Sequence, residues 1–238
     1  GNGGGIYAAA ATGLSGVTLR GNTATSASSA VEGGGLYALA PVRIDNGIFQ
    51  GNTATGNSSN GRGGGLSVNG APAIVSGSQF LSNTAAVGGG IYVIGGTAAL
   101  TATQFTGNRG AVGGGGLYLD GGPLGGANLL LARNTSPLGA AIVVTNTTGA
   151  GSLAYTTIVS PTATSAAAVY QSGGTLDIQN TIVASYTLAV QAPVGTVTSD
   201  FNLFYNAGIV DSMGAHSITG TNPLFMNQAG DNYRLAVG

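Results

Sequence analysis

Gly88-Gly89-Gly90-Ile91-Tyr92-Val93, then Ala98-Ala99-Leu100, then Phe105-Thr106-Gly107-Asn108, is the stretch whose reading decides the fold. Its opening returns at Gly3-Gly4-Gly5-Ile6-Tyr7, Gly33-Gly34-Gly35-Leu36-Tyr37, Gly63-Gly64-Gly65-Leu66-Ser67 and Gly114-Gly115-Gly116-Leu117-Tyr118. Weaker copies follow at Gly139-Ala140-Ala141-Ile142-Val143 and Ala166-Ala167-Ala168-Val169-Tyr170, and fainter ones at Leu188-Ala189-Val190 and Ala207-Gly208-Ile209. The steps from Ile6 to Val169 are 30, 30, 25, 26, 25 and 27 residues. Its close keeps step as Leu19-Arg20-Gly21-Asn22, Phe49-Gln50-Gly51-Asn52, Phe80-Leu81-Ser82-Asn83 and Leu131-Ala132-Arg133-Asn134. Two phase-locked motifs of this period mark a solenoid.

The type of solenoid follows from the alternation. Ile6, Leu36, Leu66, Ile91, Leu117 and Ile142 are apolar, and so are Ala8, Ala38, Val68, Val93, Leu119 and Val144 two residues on. A spacing of two places both sets on one face of a strand. Val42/Ile44, Ala73/Val75 and Ala98/Leu100 repeat the pattern before the Phe position. Three short strands per turn predict an all-β fold, a parallel β-helix of about nine coils. One domain is expected over 1–238, regular over 1–145 and degenerate over 146–238. The stretches 24–32, 55–62 and 121–126 read as loops within coils.

Stacking of like on like, about 4.8 Å per coil, then assigns roles. Phe49, Phe80 and Phe105 form an inner stack flanked by Leu19 and Leu131. Asn22, Asn52, Asn83, Asn108 and Asn134 form a ladder, with left-handed corners expected at the Asn residues themselves. The Gly triplets suit corners that need positive φ or close backbone approach. If Leu36 and Ala38 point inward, Tyr37 points outward. Tyr7, Tyr37, Tyr92, Tyr118 and Tyr170 then make an outward column, broken by Ser67 and Val143. Such a column can stabilise the sheet, anchor a protein contact or stack on sugar rings.

Composition narrows the chemistry. Charged residues are 5% of the chain, the net charge is −1, and Cys and Trp are absent. No basic face exists to bind nucleic acid, no thiol chemistry is available, and no apolar run is long enough for a membrane-spanning helix. A single histidine, His216, excludes a multi-histidine metal site, and it reads as a surface residue. No metal site and no cofactor are expected. Acids are scattered at Glu32, Asp45, Asp120, Asp177, Asp200, Asp211 and Asp231. Asp177 and Asp200 are about one coil apart, a spacing at which stacking can bring them together, although each acid also reads as a turn residue.

The paired Gly-Gly-Gly-Ile/Leu and Phe-x-x-Asn motifs resemble the repeats of chlamydial polymorphic outer-membrane proteins and related bacterial β-helical surface proteins, over about residues 1–145. Asp200-Phe201-Asn202-Leu203-Phe204, Asn222-Pro223-Leu224-Phe225 and Asp231-Asn232-Tyr233-Arg234-Leu235 resemble the last coils of large secreted β-helices. The resemblance implies a right-handed helix and an extracellular or bacterial cell-surface location. The expected function is that of an extracellular structural or adhesive protein without a catalytic site. The alternative is a polysaccharide lyase or glycoside hydrolase with paired carboxylates in a β-helix groove. Expected partners are copies of the chain itself, as a homo-oligomer or filament, and surface glycans. The chain opens in mid-repeat, which reads either as a segment of a longer secreted protein or as ends capped by neighbouring copies.

Overall fold

The computed structural model describes residues 2–27, 30–56, 60–145, 149–208 and 213–236, with backbone alone for 161–165. The fold is a parallel β-solenoid of about seven turns. No helix occurs among the described residues.

The chain climbs as three stacked columns. The first contains Ile6–Ala8, Leu36–Ala38, Leu66–Asn69, Ile91–Ile94, Leu117–Asp120 and Ile142–Thr145. The second begins Thr12–Ser15, Val42–Asp45, Ala73–Ser76 and Ala98–Thr101, and the third Thr18–Arg20, Ile48–Gln50, Gln79–Leu81 and Gln104–Thr106. Pairing is parallel and joins the residues that the repeat equates: Tyr37 with Tyr7 and Ser67, Ile74 with Arg43 and Ala99, Phe80 with Phe49 and Phe105. From Thr157 the strands run round the corners, as Thr157–Gln179, Ile182–Asp200 and Leu203–Gly208.

Ile6 returns in its column at Leu36, Leu66, Ile91, Leu117, Ile142, Val169 and Val190, so the column holds eight levels joined by seven steps, slightly fewer than the nine coils expected. The faint copy at Leu188-Ala189-Val190 is therefore a true coil. The last step, Val169 to Val190, has shrunk to 21 residues. After Ile218–Thr219 the chain leaves the spiral, and Phe225–Asn227 pairs antiparallel with Asn232–Leu235. That hairpin replaces the last expected coils.

A lateral sheet also departs from the three-strand expectation. Thr23–Thr25, Thr53–Thr55, Thr84–Val87 and Arg109–Gly113 stack beside the main spiral. Val31–Glu32 and Gly61–Arg62 join them, Arg62 opposite Glu32. The stretches read as loops at 24–32 and 55–62 thus end in strands. The third loop, 121–126, is also largely strand, since Leu124–Ala127 belongs to the second column. Residues 28–29 and 57–59 lie outside the described set.

The interior is the predicted one. Leu36, Ile44, Phe49, Leu66, Phe80, Phe105 and Leu117 are buried in a single continuous core. The Phe rings stack at 4.7 and 5.1 Å, nearly coplanar at 9° and 11°. Leu19 and Leu131 flank them in register, and Ile158, Val183 and Phe204 extend the stack. Burial of each such side chain contributes roughly 2–3 kcal/mol.

Candidate functional site

The asparagine ladder is complete in its bonding. The Asn83 Nδ2 donates to Asn108 Oδ1 and to the Phe49 carbonyl, and its Oδ1 accepts from Asn52 N and Asn52 Nδ2, all within 2.8–3.0 Å. Asn52 and Asn108 repeat the scheme, and Asn22 and Asn134 stand at its two ends. Contrary to expectation, the left-handed residue is the one before each Asn: Gly21, Gly51, Ser82, Gly107 and Arg133. The corner turns there so that the amide can point inward across two coils. Asn134, which opens an Asn-Thr-Ser sequon, is fully buried.

The Gly triplets serve both expected purposes. Gly33 has φ +64°, and a Cβ on Gly34 would lie 2.4 Å from the Gly64 carbonyl oxygen of the next coil. This close corner brings the residue before each triplet against the tyrosine column. The column does face away from the main core, but it is not a solvent surface. Tyr37 and Tyr92 are 5% and 3% exposed, Tyr118 and Tyr170 are half-buried, and Tyr7 alone is open at 53%. The lateral strands ending in Glu32 and Arg62 cover it. Tyr7 meets Tyr37 at 5.7 Å and Tyr92 meets Tyr118 at 5.6 Å, both tilted.

The break at Ser67 has a cause in this packing. Without a ring there, the buried Glu32 carboxylate takes the space: Ser67 Oγ donates to Oε2 at 2.6 Å and Arg62 Nη1 to Oε1 at 2.9 Å. The Arg62 guanidinium carbon lies 5.5 Å from the centre of the Tyr92 ring. Burial pushes the Tyr92 hydroxyl up to about 12, against the pull of Arg62. Burial opposes the Arg62 charge too, but the bond to Glu32 and the nearby Tyr92 and Asp120 more than offset it. Three coils on from Glu32, Gly113 stands before its own triplet, where a Cβ would lie 2.9 Å from Tyr118 of the same coil. Ring size and the residue opposite are matched coil by coil. The sequence held a clue to this cluster in Ser67, one of the two breaks in the column, and in Glu32, the chain's single glutamate.

The other acids are held singly. Asp177 accepts from Gln179 and Thr198, Asp45 from Arg43, and Asp231 from Arg133 and Tyr233. Asp177 and Asp200 are not opposite one another: Asp177 faces Thr198 and Asp200 faces Gln179. Asp211 lies outside the described residues. Among the described residues no group of three His, Asp or Glu side chains could hold a metal ion.

His216 has partners that the sequence reading missed. Its Nδ1 is 2.8 Å from Asp200 Oδ2, and its ring stacks on Phe201 at 4.6 Å and 4°. The His216 bond is the main reason the Asp200 carboxyl sits below its ordinary range. The C-terminal hairpin was missed as well. Tyr233 and Phe225 pack on Ala132, Val159 and Ala184, the outward side of the third column, and Gln228 Nε2 donates to the Ser160 carbonyl at 2.6 Å.

These features define a class by architecture, a parallel β-solenoid held by internal side-chain ladders. Comparison with models of protein families, with curated proteins and with solved structures gives no match.

Proposed function

We propose that this chain is an extracellular structural or adhesive rod of a bacterial surface, without a catalytic site, which assembles with copies of itself. The observation that carries the reading is how its polar side chains are used. The three inner asparagines of the ladder, Asn52, Asn83 and Asn108, each have four side-chain hydrogen bonds committed between coils. Glu32, Asp45, Asp177, Asp200 and Asp231 are each tied to a local partner in different parts of the spiral. Glycosidic cleavage needs two carboxyl groups flanking one bond. The resemblance to chlamydial outer-membrane repeats adds support for surface location. With 5% charged residues, little like-charge repulsion opposes packing of copies into a filament.

Antibody labelling of intact source cells tests location, and sedimentation with electron microscopy across a concentration series tests assembly. Surface labelling and end-to-end growth are expected. Labelling only after cell lysis overturns the surface reading, and a concentration-independent monomer overturns the filament. Release of reducing ends from polysaccharide by the purified chain would establish the enzymatic alternative instead.

A further inference from the structure

We propose that the ridge Asn128, Tyr155, Asn180 and Phe201, at the corner between the second and third columns, binds a neutral, extended β-linked glycan chain. The four residues are successive in the stack. The Asn128 amide donates to the Ala154 carbonyl, the Tyr155 amide to Gln179, and Gln179 pairs with Asp200. All four are left-handed, with φ of 54°, 51°, 50° and 57°.

Lower in the same column the corner holds Gly16, Asn46, Gly77 and Ala102. Glycine and asparagine adopt this conformation readily, whereas a bulky ring is strained in it. Tyr155 and Phe201 are nevertheless placed there, 63% and 54% exposed. Both rings stay largely open, and the ring contact they make among the described residues is that of Phe201 with the exposed His216; strain kept for so small a packing return points to function.

The arrangement suits a sugar chain. An aromatic ring stands at every second coil, so the two are roughly 10 Å apart at about 4.8 Å per coil. An extended β-linked glycan advances by about one coil spacing per sugar and flips alternate units. Two like-oriented sugar faces then meet Tyr155 and Phe201, and the Asn180 amide meets the hydroxyls of the sugar between them. Phe201 is held by His216, which Asp200 fixes through its ring and backbone nitrogens at 2.8 and 2.9 Å. Beside Tyr155 lies an open groove of about 400 Å³, lined by Thr103, Gln104, Asn128 and Leu129 among others, with no charged side chain. Neutral walls favour a neutral ligand.

This ligand class rests on the surface-adhesive reading only for its biological setting. The test is calorimetric titration of the intact chain with cellohexaose and chitohexaose, against α-linked maltohexaose and polygalacturonate. At least one β-linked hexasaccharide is expected to bind. Tyr155→Asn and Phe201→Asn are each expected to weaken it about tenfold or more, and the double variant to abolish it. Both variants should unfold at the same or a higher temperature than the parent, since Asn relieves the left-handed strain. The proposal is overturned if neither β-linked hexasaccharide binds, if the double variant binds as the parent does, or if maltohexaose or polygalacturonate binds equally well. If the ridge fails while intact cells still display the chain, the rod reading stands. If the chain is not displayed, that reading fails whatever the ridge binds.

Discussion

The first five coils and the last three hold the same spiral together by different means. In residues 1–145 the third corner is filled by an amide column, and beneath it the stack reads Leu19, Phe49, Phe80, Phe105, Leu131. Beyond Asn134 the amides stop. The position after the left-handed Ser185 is Tyr186, fully buried, whose hydroxyl finds no partner among the described residues. Here apolar fill replaces the ladder, and a hairpin closes the outer face of the column. A solenoid therefore needs a filled corner rather than a particular residue in it. The repeat is the cheaper of two solutions, because one satisfied coil becomes the partner of the next.

The sharpest way to break this comparison is to remove one rung. Asn83→Ala takes this partner from Asn52 N and the Phe49 carbonyl in a buried site, and removes one of the two bonds made by Asn52 Nδ2 and one of those accepted by Asn108 Oδ1. A loss of about 4 kcal/mol is expected by denaturant unfolding, since each buried group left unpaired costs roughly 1–3 kcal/mol. Asn22 is half-buried and gives its amide to a single neighbour, Asn52. Asn22→Ala should cost only about 1 kcal/mol. Equal losses would mean that the rungs act independently of their place in the column.

A smaller effect probes the matching of rings to their neighbours. Ser67→Tyr restores the tyrosine column but drives a ring into the Glu32 carboxylate, and about 2 kcal/mol should be lost to overpacking. Glu32→Gly empties the place, with the residue that stands there three coils on at Gly113, so the double variant should recover most of that loss. A double-mutant cycle measures the coupling, and additive losses would show that the two positions do not share space.

What was legible in the sequence follows the same division. Phe49, Phe80 and Phe105, and the asparagines behind them, recur in phase, so stacking alone predicted their neighbours. Glu32 and Arg62 have no counterparts at the same place in other coils, and the contacts that fix them span 30 and 35 residues. Periodicity carries no record of such a pair. Tyr37 lies outside the main core cluster yet is buried, and what covers it is a lateral strand that the loop reading of 24–32 conceals. Tyr233-Arg234-Leu235 reads as one more coil strand, because alternation does not encode whether a strand pairs parallel or antiparallel. The turn at 228–231 decides that. The strained rings at Tyr155 and Phe201 break the repeat, and only backbone φ values single them out.

The hairpin gives a milder test, on the outer face of the later coils. Asp231 binds Arg133 and Tyr233, and although burial works against it these bonds hold its carboxyl below the ordinary value. A depressed carboxyl stabilises the docked form above about pH 4 and loses that effect as pH falls through the folded value. Burial, with Asp231 beside it, pushes the Tyr233 hydroxyl up to about 12. A raised hydroxyl stabilises docking below about pH 10 and loses the effect as pH climbs toward that value. The hairpin should therefore dock between about pH 4 and 10. A fluorophore on Met226→Cys, in a chain with no native cysteine, reports it. Asp231→Asn should weaken docking by about 1 kcal/mol or less and remove the acid transition. An unchanged acid transition would assign it to another group.

The smallest expected change is also the one of opposite sign. Tyr186 sits where the earlier coils place an amide, is 1% exposed, and carries a hydroxyl with no partner among the described residues. Burial raises the pKa of that hydroxyl far above its ordinary value. The ring fills the narrowing corner, but the oxygen is a buried polar atom that folding strips of water. Tyr186→Phe keeps the ring and deletes the unsatisfied atom, so stability should rise by about 0.5 kcal/mol. Tyr186→Asn supplies an amide with no ladder on either side and leaves the volume of the ring empty, so it should destabilise by several-fold more than Tyr186→Phe stabilises. Spectrophotometric titration gives a second readout, since the parent should lose one late-ionising tyrosine in the Phe variant. If Tyr186→Phe destabilises instead, the hydroxyl holds a partner, and the later coils are satisfied by the same rule as the earlier ones.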